Sequence, residues 1–558
     1  MKSVHRFIAV AATCLALSAV PGAERVAGAD AAAQAAHGPI VEAPAGAVEG
    51  RLQDAIRVFK GIPYAAPPGG PLRWRPPQAA ATWSGVRDAT EFGAPCIQPP
   101  AGAPNLYTSD IGRASEDCLS LNIWTPADAH NAPVFVWIHG GSLAGGSGRE
   151  MLYDGARLAQ RGIIVVTINY RLGVLGYFAH PLLSAESPDG VSGNYGLLDQ
   201  IQALHWVHDN IAAFGGDPAN VTIAGESAGG LSVMYLMAAP SARGLFAKAI
   251  AESAYMVSAQ ELKQTSHGTP SAEATGERLA TALHATDLAS LRAMDAQQMT
   301  NVATATGFFP FLAIDGHVLP DQLVNVFDRG EQAHVPLLAG FNSGEIRTLR
   351  FLTPPTPATA SAYEAAIRAH YGDLAPEFLR LYPSTNLQES MWATTRDALY
   401  GWTAERLARK QTAAGVPAYL YIFDHGYPAM DNAGLHAFHA GELPYVFGNL
   451  DRTPPLWPHI PPTDNERHFS DAMVEYWTSF VRTGHPVAAG FQDWPAYDGE
   501  GYFMAFMDRP IVSRHLMSGM YDLHEEAMCR RRAAGDQPWN WNVGIISPDL
   551  TARCAATR

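Results

Sequence analysis

The sequence predicts an α/β fold in which helices cover a large, mostly parallel central sheet, with helical insertions forming a cap or flank. Three observations carry that expectation. Strand-like and helix-like stretches alternate between residues 121 and 240; GIIVVTINYR, Gly162 to Arg171, is a β-branched run suited to a buried central strand; and VTIAGESAGG, Val221 to Gly230, reads as strand, sharp turn and helix.

Taken in order, the chain opens on basic residues, MKSVHR, then an apolar run from Phe7 to Val20 that is too short to span a bilayer. Residues 1–29 are expected to be an export leader. Ala27-Gly28-Ala29 offers one cleavage site, within a window of 19–35. Residues 30–558 are then expected to form a single catalytic unit, with no transmembrane helix. An edge strand is expected near Val41. FKGIPYAAPPGGPLRWRPP, Phe59 to Pro77, is too rich in proline for a helix and reads as an extended segment on the surface of a core. Leu121 to Pro126 and Val134 to Gly141 give strand signals, and Asn194 to Phe214 has helix spacing closed by Gly215-Gly216. The region 255–410 reads as mostly helical, with a strand in His334 to Gly344. Another strand is expected at Ala418 to His425, and a late helix at Phe469 to Arg482.

The chain is 47% hydrophobic and 16% charged, enough apolar material for a large core. Its net charge of -15 argues against a nucleic-acid partner and favours neutral or cationic small substrates over anionic ones. Of five cysteines, Cys14 lies in the leader, and the remaining four suit two disulfides in an exported protein. Proximity in sequence favours Cys96–Cys118 and Cys529–Cys554. No tetrahedral metal spacing and no phosphate-binding glycine motif is present, so neither a metal nor a cofactor is expected. Oligomeric state is not legible.

The chemistry centres on Ser227, the middle of a G-x-S-x-G pentapeptide at a strand-to-helix corner. A serine hydroxyl is a weak nucleophile and needs a base, which in turn needs an orienting carboxylate. His439, in LHAFHAGELPYVFG, is the leading base candidate, with His436 and His425 as alternatives. Glu345, directly after a predicted strand, leads for the acid, with Asp315 and Asp424 as alternatives. HGGSLAGG, His139 to Gly146, is a glycine-rich turn whose amides at Gly141 and Ser142, with that of Ala228, can meet a developing oxyanion. Glu226 precedes the serine and is assigned a supporting role.

These residues sit in a sequence that resembles the type-B carboxylesterases, the cholinesterase-like branch of the α/β-hydrolases. FKGIPYAAPP, EDCLSLNIW, NYRLGVLGYF, GESAGG and FHAGELPYVFG follow one another as they do in that family. The resemblance implies an α/β-hydrolase fold, Ser227 as nucleophile, Glu345 as acid, His439 as base and a Cys96–Cys118 disulfide. It implies that a small-molecule ester acylates Ser227 with expulsion of its alcohol, and that water activated through His439 then hydrolyses the acyl-enzyme. Departures are H-G-G-S-L, with Ser142 and Leu143 where the family has glycine and an aromatic, and N-S-G-E-I around Glu345. The loop between Cys96 and Cys118 has Tyr107 but no tryptophan, which speaks against cholinesterase activity. Tyr107, Leu143, Phe308, Phe309 and His436 are candidate pocket residues. Fumonisin-type mycotoxin esters or polyester fragments are alternative substrates, and a non-catalytic adhesion or scaffold role is the distant alternative. A polyanionic substrate requires arginine or lysine in the pocket.

Overall fold

A computed structural model describes residues 38–100, 102–535, 537–540 and 542–554. The expected leader and its cleavage window lie outside the described residues. From Gly38 onward the described chain forms one compact unit.

Eleven strands form the central sheet: β1 Arg51–Gln53, β2 Ile56–Pro63, β3 Ser120–Pro126, β4 Ala132–Ile138, β5 Ile164–Ile168, β6 Gly216–Glu226, β7 Lys248–Glu252, β8 Leu337–Asn342, β9 Ala418–Phe423, β10 Tyr502–Phe506 and β11 Pro510–Arg514. Their order across the sheet is β1-β2-β3-β5-β4-β6-β7-β8-β9-β10-β11. The run from β5 to β10 is parallel, and the strands flanking it at each edge are antiparallel. Every residue of β5, β7 and β8 is buried, as a sheet covered on both faces requires. This is the α/β-hydrolase arrangement, with helices flanking and capping the sheet.

The structure departs from the sequence reading in three places. The strand near Val41, Ile40–Ala43, belongs to a small separate sheet with Gly46–Glu49 and Val86–Asp88 instead of edging the main one. The first residues of FKGIPYAAPP complete β2 inside the main sheet, and Tyr64 and Trp74 beyond it are buried rather than wrapped over the surface. β7, β10 and β11 were not among the expected strands. In β7, KAIAE, both charged ends lie in the core, where Glu252 accepts a hydrogen bond from Trp477 Nε1 at 2.8 Å.

One buried ion pair anchors the carboxyl end of β5. Arg171 Nη2 and Nε reach Asp199, on the helix Tyr195–Asn210, at 2.7 and 2.8 Å, and the Arg171 N–H donates to the same carboxylate at 3.0 Å. The neighbouring residue, Tyr170, stacks on His139 with ring centroids 4.5 Å apart and donates its hydroxyl to the His139 carbonyl at 2.8 Å. The pair therefore fixes a residue that in turn holds the glycine-rich loop. Asp199→Ala leaves a buried guanidinium without its partner and is expected to cost about 3–5 kcal/mol. Urea unfolding should show a lower midpoint with little change in m-value.

Candidate active site

β6 ends at Glu226 and the following helix begins at Ala228, so Ser227 alone turns the chain. Its φ of 57° and ψ of -121° lie outside the regions comfortable for a residue with a side chain, a strain of about 1–3 kcal/mol. Hydrogen bonds on both sides hold it. The Ser227 N–H donates to the Glu252 carbonyl at 3.0 Å, and its own carbonyl accepts from the Leu231 N–H at 2.9 Å. The flanking glycines are required by packing. A Cβ at position 229 would lie 2.0 Å from the Ile138 carbonyl oxygen, and one at 225 would lie 2.5 Å from the Gly229 carbonyl carbon.

Glu345 follows β8 and is fully buried. Its Oε1 accepts from Ser253 Oγ at 2.6 Å and from the Asn342 N–H at 2.8 Å, while Oε2 pairs with His439 Nδ1. The other ring nitrogen, His439 Nε2, lies 3.1 Å from Glu226 Oε1. That contact has the distance of a charge pair without hydrogen-bond geometry, since Glu226 Oε1 accepts no hydrogen bond among the described residues. Burial opposes the imidazolium of His439, but Glu226, Glu345 and the bond to Glu345 outweigh it and hold the pKa at about 9. Burial raises Glu226 to about 7, against the pull of His439. Glu252, paired in register with Glu226, is raised to about 8 by burial, and buried Glu442 is raised well above the usual carboxylate range. The imidazole thus sits among carboxylates that do not all ionise together.

The HGGSLAGG loop follows β4. His139 is buried, its pKa lowered to about 4 by desolvation, and its Nδ1 lies 2.8 Å from the Gly140 carbonyl. Gly141, at φ 100°, accepts from the N–H groups of Ala144 and Gly145, both at 3.0 Å. Among the described residues, no protein acceptor takes the N–H of Gly141, Ser142 or Ala228. Gly141 and Ser142 line the same cavity as Ser227.

That cavity has a volume of about 490 Å³ and receives Ser227, His439, Glu226, Tyr107 and Phe309. Three expected wall residues are elsewhere. Leu143 turns into the core, 2% exposed, and Phe308 packs in a cluster with Trp74 and Phe178. His436 pairs with Asp431 at 2.7 Å and Asp424 at 3.1 Å, its pKa raised to about 9 by the bond to Asp424 and then that to Asp431. The alternative acids and base are also engaged: Asp315 accepts from the N–H groups of residues 317–319, and His425 pairs with Glu466 at 3.0 Å. Sequence reasoning missed Glu150, Tyr153, Tyr255 and Tyr400 in the wall, and Leu349 and Phe351 with them. They come from turns and from a π-helical turn, Asp397–Gly401, where no hydrophobic period marks them. Ser253, which braces Glu345, follows β7, a strand the sequence reading did not expect, so no local signal marked it. Among the described residues, the cavity wall has no arginine or lysine, and Phe351 and Phe309 are 79% and 51% exposed.

Among the described residues, no helix is long and apolar enough to cross a membrane. The carboxylesterase family model matches residues 37–523. A fumonisin B1 esterase from Sphingopyxis macrogoltabida is 38% identical over 83% of this chain and 85% of that protein. A para-nitrobenzyl esterase from Bacillus subtilis (strain 168) is 37% identical over 85% of this chain and 95% of that one. A solved PNB esterase structure superposes with a TM-score of 0.75 at 34% identity, covering 87% of this chain and 99% of that one. With a strained serine corner at the end of β6 and matches that run across most of its length, the chain belongs to the carboxylesterase family and is a carboxylic-ester hydrolase of the serine type.

Proposed function

We propose that Ser227 is the nucleophile of this hydrolase, His439 its general base and acid, and Glu345 the carboxylate that orients His439, acting on neutral esters with a bulky apolar group. The observation that carries the reading is the His439 ring, tied through Nδ1 to buried Glu345 in the wall of the cavity that also holds Ser227. In the free protein Nε2 faces Glu226; catalysis needs the ring to swing about its Nδ1 anchor so that Nε2 takes the serine proton, and such bonds commonly tighten only when substrate is bound. The hydroxyl then attacks the ester carbonyl. The new oxyanion is met by the N–H groups of Gly141, Ser142 and Ala228, the proton on Nε2 passes to the departing alkoxide, and a water repeats the cycle in reverse to free the acid.

An aromatic wall without a cation supports apolar, uncharged groups on either side of the ester. The similarity to a fumonisin B1 esterase keeps that substrate type as a second reading. The leader-like first residues, together with disulfides at Cys96–Cys118 and Cys529–Cys554, support export as the setting.

Ser227→Ala is expected to lower kcat by about 10⁴-fold or more with an unchanged circular dichroism spectrum. Turnover persisting in that variant would remove Ser227 from the mechanism. In a panel of p-nitrophenyl esters, kcat/KM for neutral apolar acyl groups should exceed that for a carboxylate-bearing acyl group of equal length by about tenfold or more. Equal rates, or a preference for the anion, would favour the second reading. The active form of His439 is neutral, so kcat/KM should rise with pH as its imidazolium titrates. Glu226 stabilises that imidazolium, so Glu226→Gln should lower the His439 pKa and move the acid limb of the profile down by about one pH unit. A limb that stays in place or moves up would show that Glu226 does not set the titration.

A further inference from the structure

We infer that Tyr107 is a positioning residue for His439: its hydroxyl straps the disulfide-closed loop to the backbone of the base and to the segment that carries the acid. This rests on the roles proposed above for His439 and Glu345. Tyr107 Oη lies 2.9 Å from the His439 carbonyl oxygen and 2.8 Å from Thr348 Oγ1. A carbonyl cannot donate, and the phenol has a single proton. The bonds therefore run in one sense, from the Thr348 hydroxyl to the Tyr107 oxygen, and from the Tyr107 hydroxyl to the His439 carbonyl. Among the described residues no other donor reaches that carbonyl.

The base needs such a hold because its backbone is under strain. Ala437 and Ala440, on either side of Phe438–His439, have φ of 45° and 66°, in the left-handed region that residues with a Cβ avoid. The amino-terminal side of this short segment is fixed to the acid loop, where the Gly344 N–H donates to the Ala437 carbonyl at 3.0 Å and Asn342 Nδ2 donates to the Phe438 carbonyl at 2.9 Å. At His439 itself the matching tie is Tyr107. Its ring is wedged against Phe438 and Trp457, at centroid distances of 6.4 and 6.3 Å, and it lies between Cys96 and Cys118, which are joined by a disulfide. Thr348 is three residues beyond Glu345, so the chain of two hydroxyls joins acid segment, disulfide loop and base.

Tyr107→Phe keeps the ring and removes the hydroxyl. With p-nitrophenyl acetate, whose small acyl group makes little use of the pocket wall, kcat should fall by about tenfold while KM stays within about twofold, and the melting temperature should move little. Thr348→Val should give a smaller loss in kcat, and the double variant should be no worse than Tyr107→Phe alone, because both act through one chain of bonds. An unchanged kcat in Tyr107→Phe, a loss confined to KM, or additive losses in the double variant would each overturn the inference while leaving the esterase reading standing. If the unaltered enzyme cleaved no ester in the panel, the reading itself would fail first.

Discussion

The close approach of β4 to the helix behind β6 is the constraint on which the site depends. A Cβ at Gly229 would fall 2.0 Å from the Ile138 carbonyl oxygen, so the helix starts closer to the sheet than any residue but glycine permits. This proximity leaves the chain no room for an ordinary turn and forces Ser227 to take the corner in one residue. The same approach brings the serine corner and the start of its helix against the loop that leaves β4, whose Gly141 and Ser142 line the cavity. Strain at the serine and the closeness of its corner to the glycine-rich loop are two results of one packing contact.

Electrostatics supplies the second layer. Parallel strands bring Glu226 and Glu252 into register at the carboxyl edge of the sheet, and Glu345 and Glu442 enter from the loops beyond β8 and β9. Burial pushes Glu226, Glu252 and Glu442 toward the neutral acid. Glu345 is set apart by its partners, since Ser253 Oγ and the Asn342 N–H both donate to its Oε1. By contrast, Glu252 Oε2 and Glu442 Oε1 have no hydrogen-bond partner among the described residues, and burial raises the pKa of both groups. Glu345 thus holds the Nδ1 side of His439, and Glu226, its pKa raised to about 7 by burial, faces the Nε2 side.

Much of this was legible in the sequence, and what was not has a physical reason. The elbow announces itself because its glycines are required within five consecutive residues, and β4, β5, β8 and β9 are apolar enough to be read singly. β7 was missed because KAIAE ends in two charges that usually mark solvent, and only its buried partners show otherwise. The cavity wall was read poorly. Tyr153, Tyr255 and Tyr400 are far apart in the chain and converge only through the sheet order, whereas Phe308 and Phe309, adjacent in sequence, point to core and cavity respectively.

The two departures in H-G-G-S-L have different consequences. Ser142 and Leu143 both take a left-handed backbone, at φ of 57° and 58°, where each residue carries a cost of about 1–2 kcal/mol that glycine avoids. Leu143 recovers it locally. Its side chain is buried, contributing about 1.5–3 kcal/mol, and its carbonyl accepts from the Gly173 N–H at 2.8 Å. Ser142 has no such return, because it is exposed in the cavity and, among the described residues, nothing hydrogen-bonds its side chain. Leu143 therefore anchors the loop, and Ser142 is the departure that faces the cavity lined by Ser227: a hydroxyl where glycine would leave space.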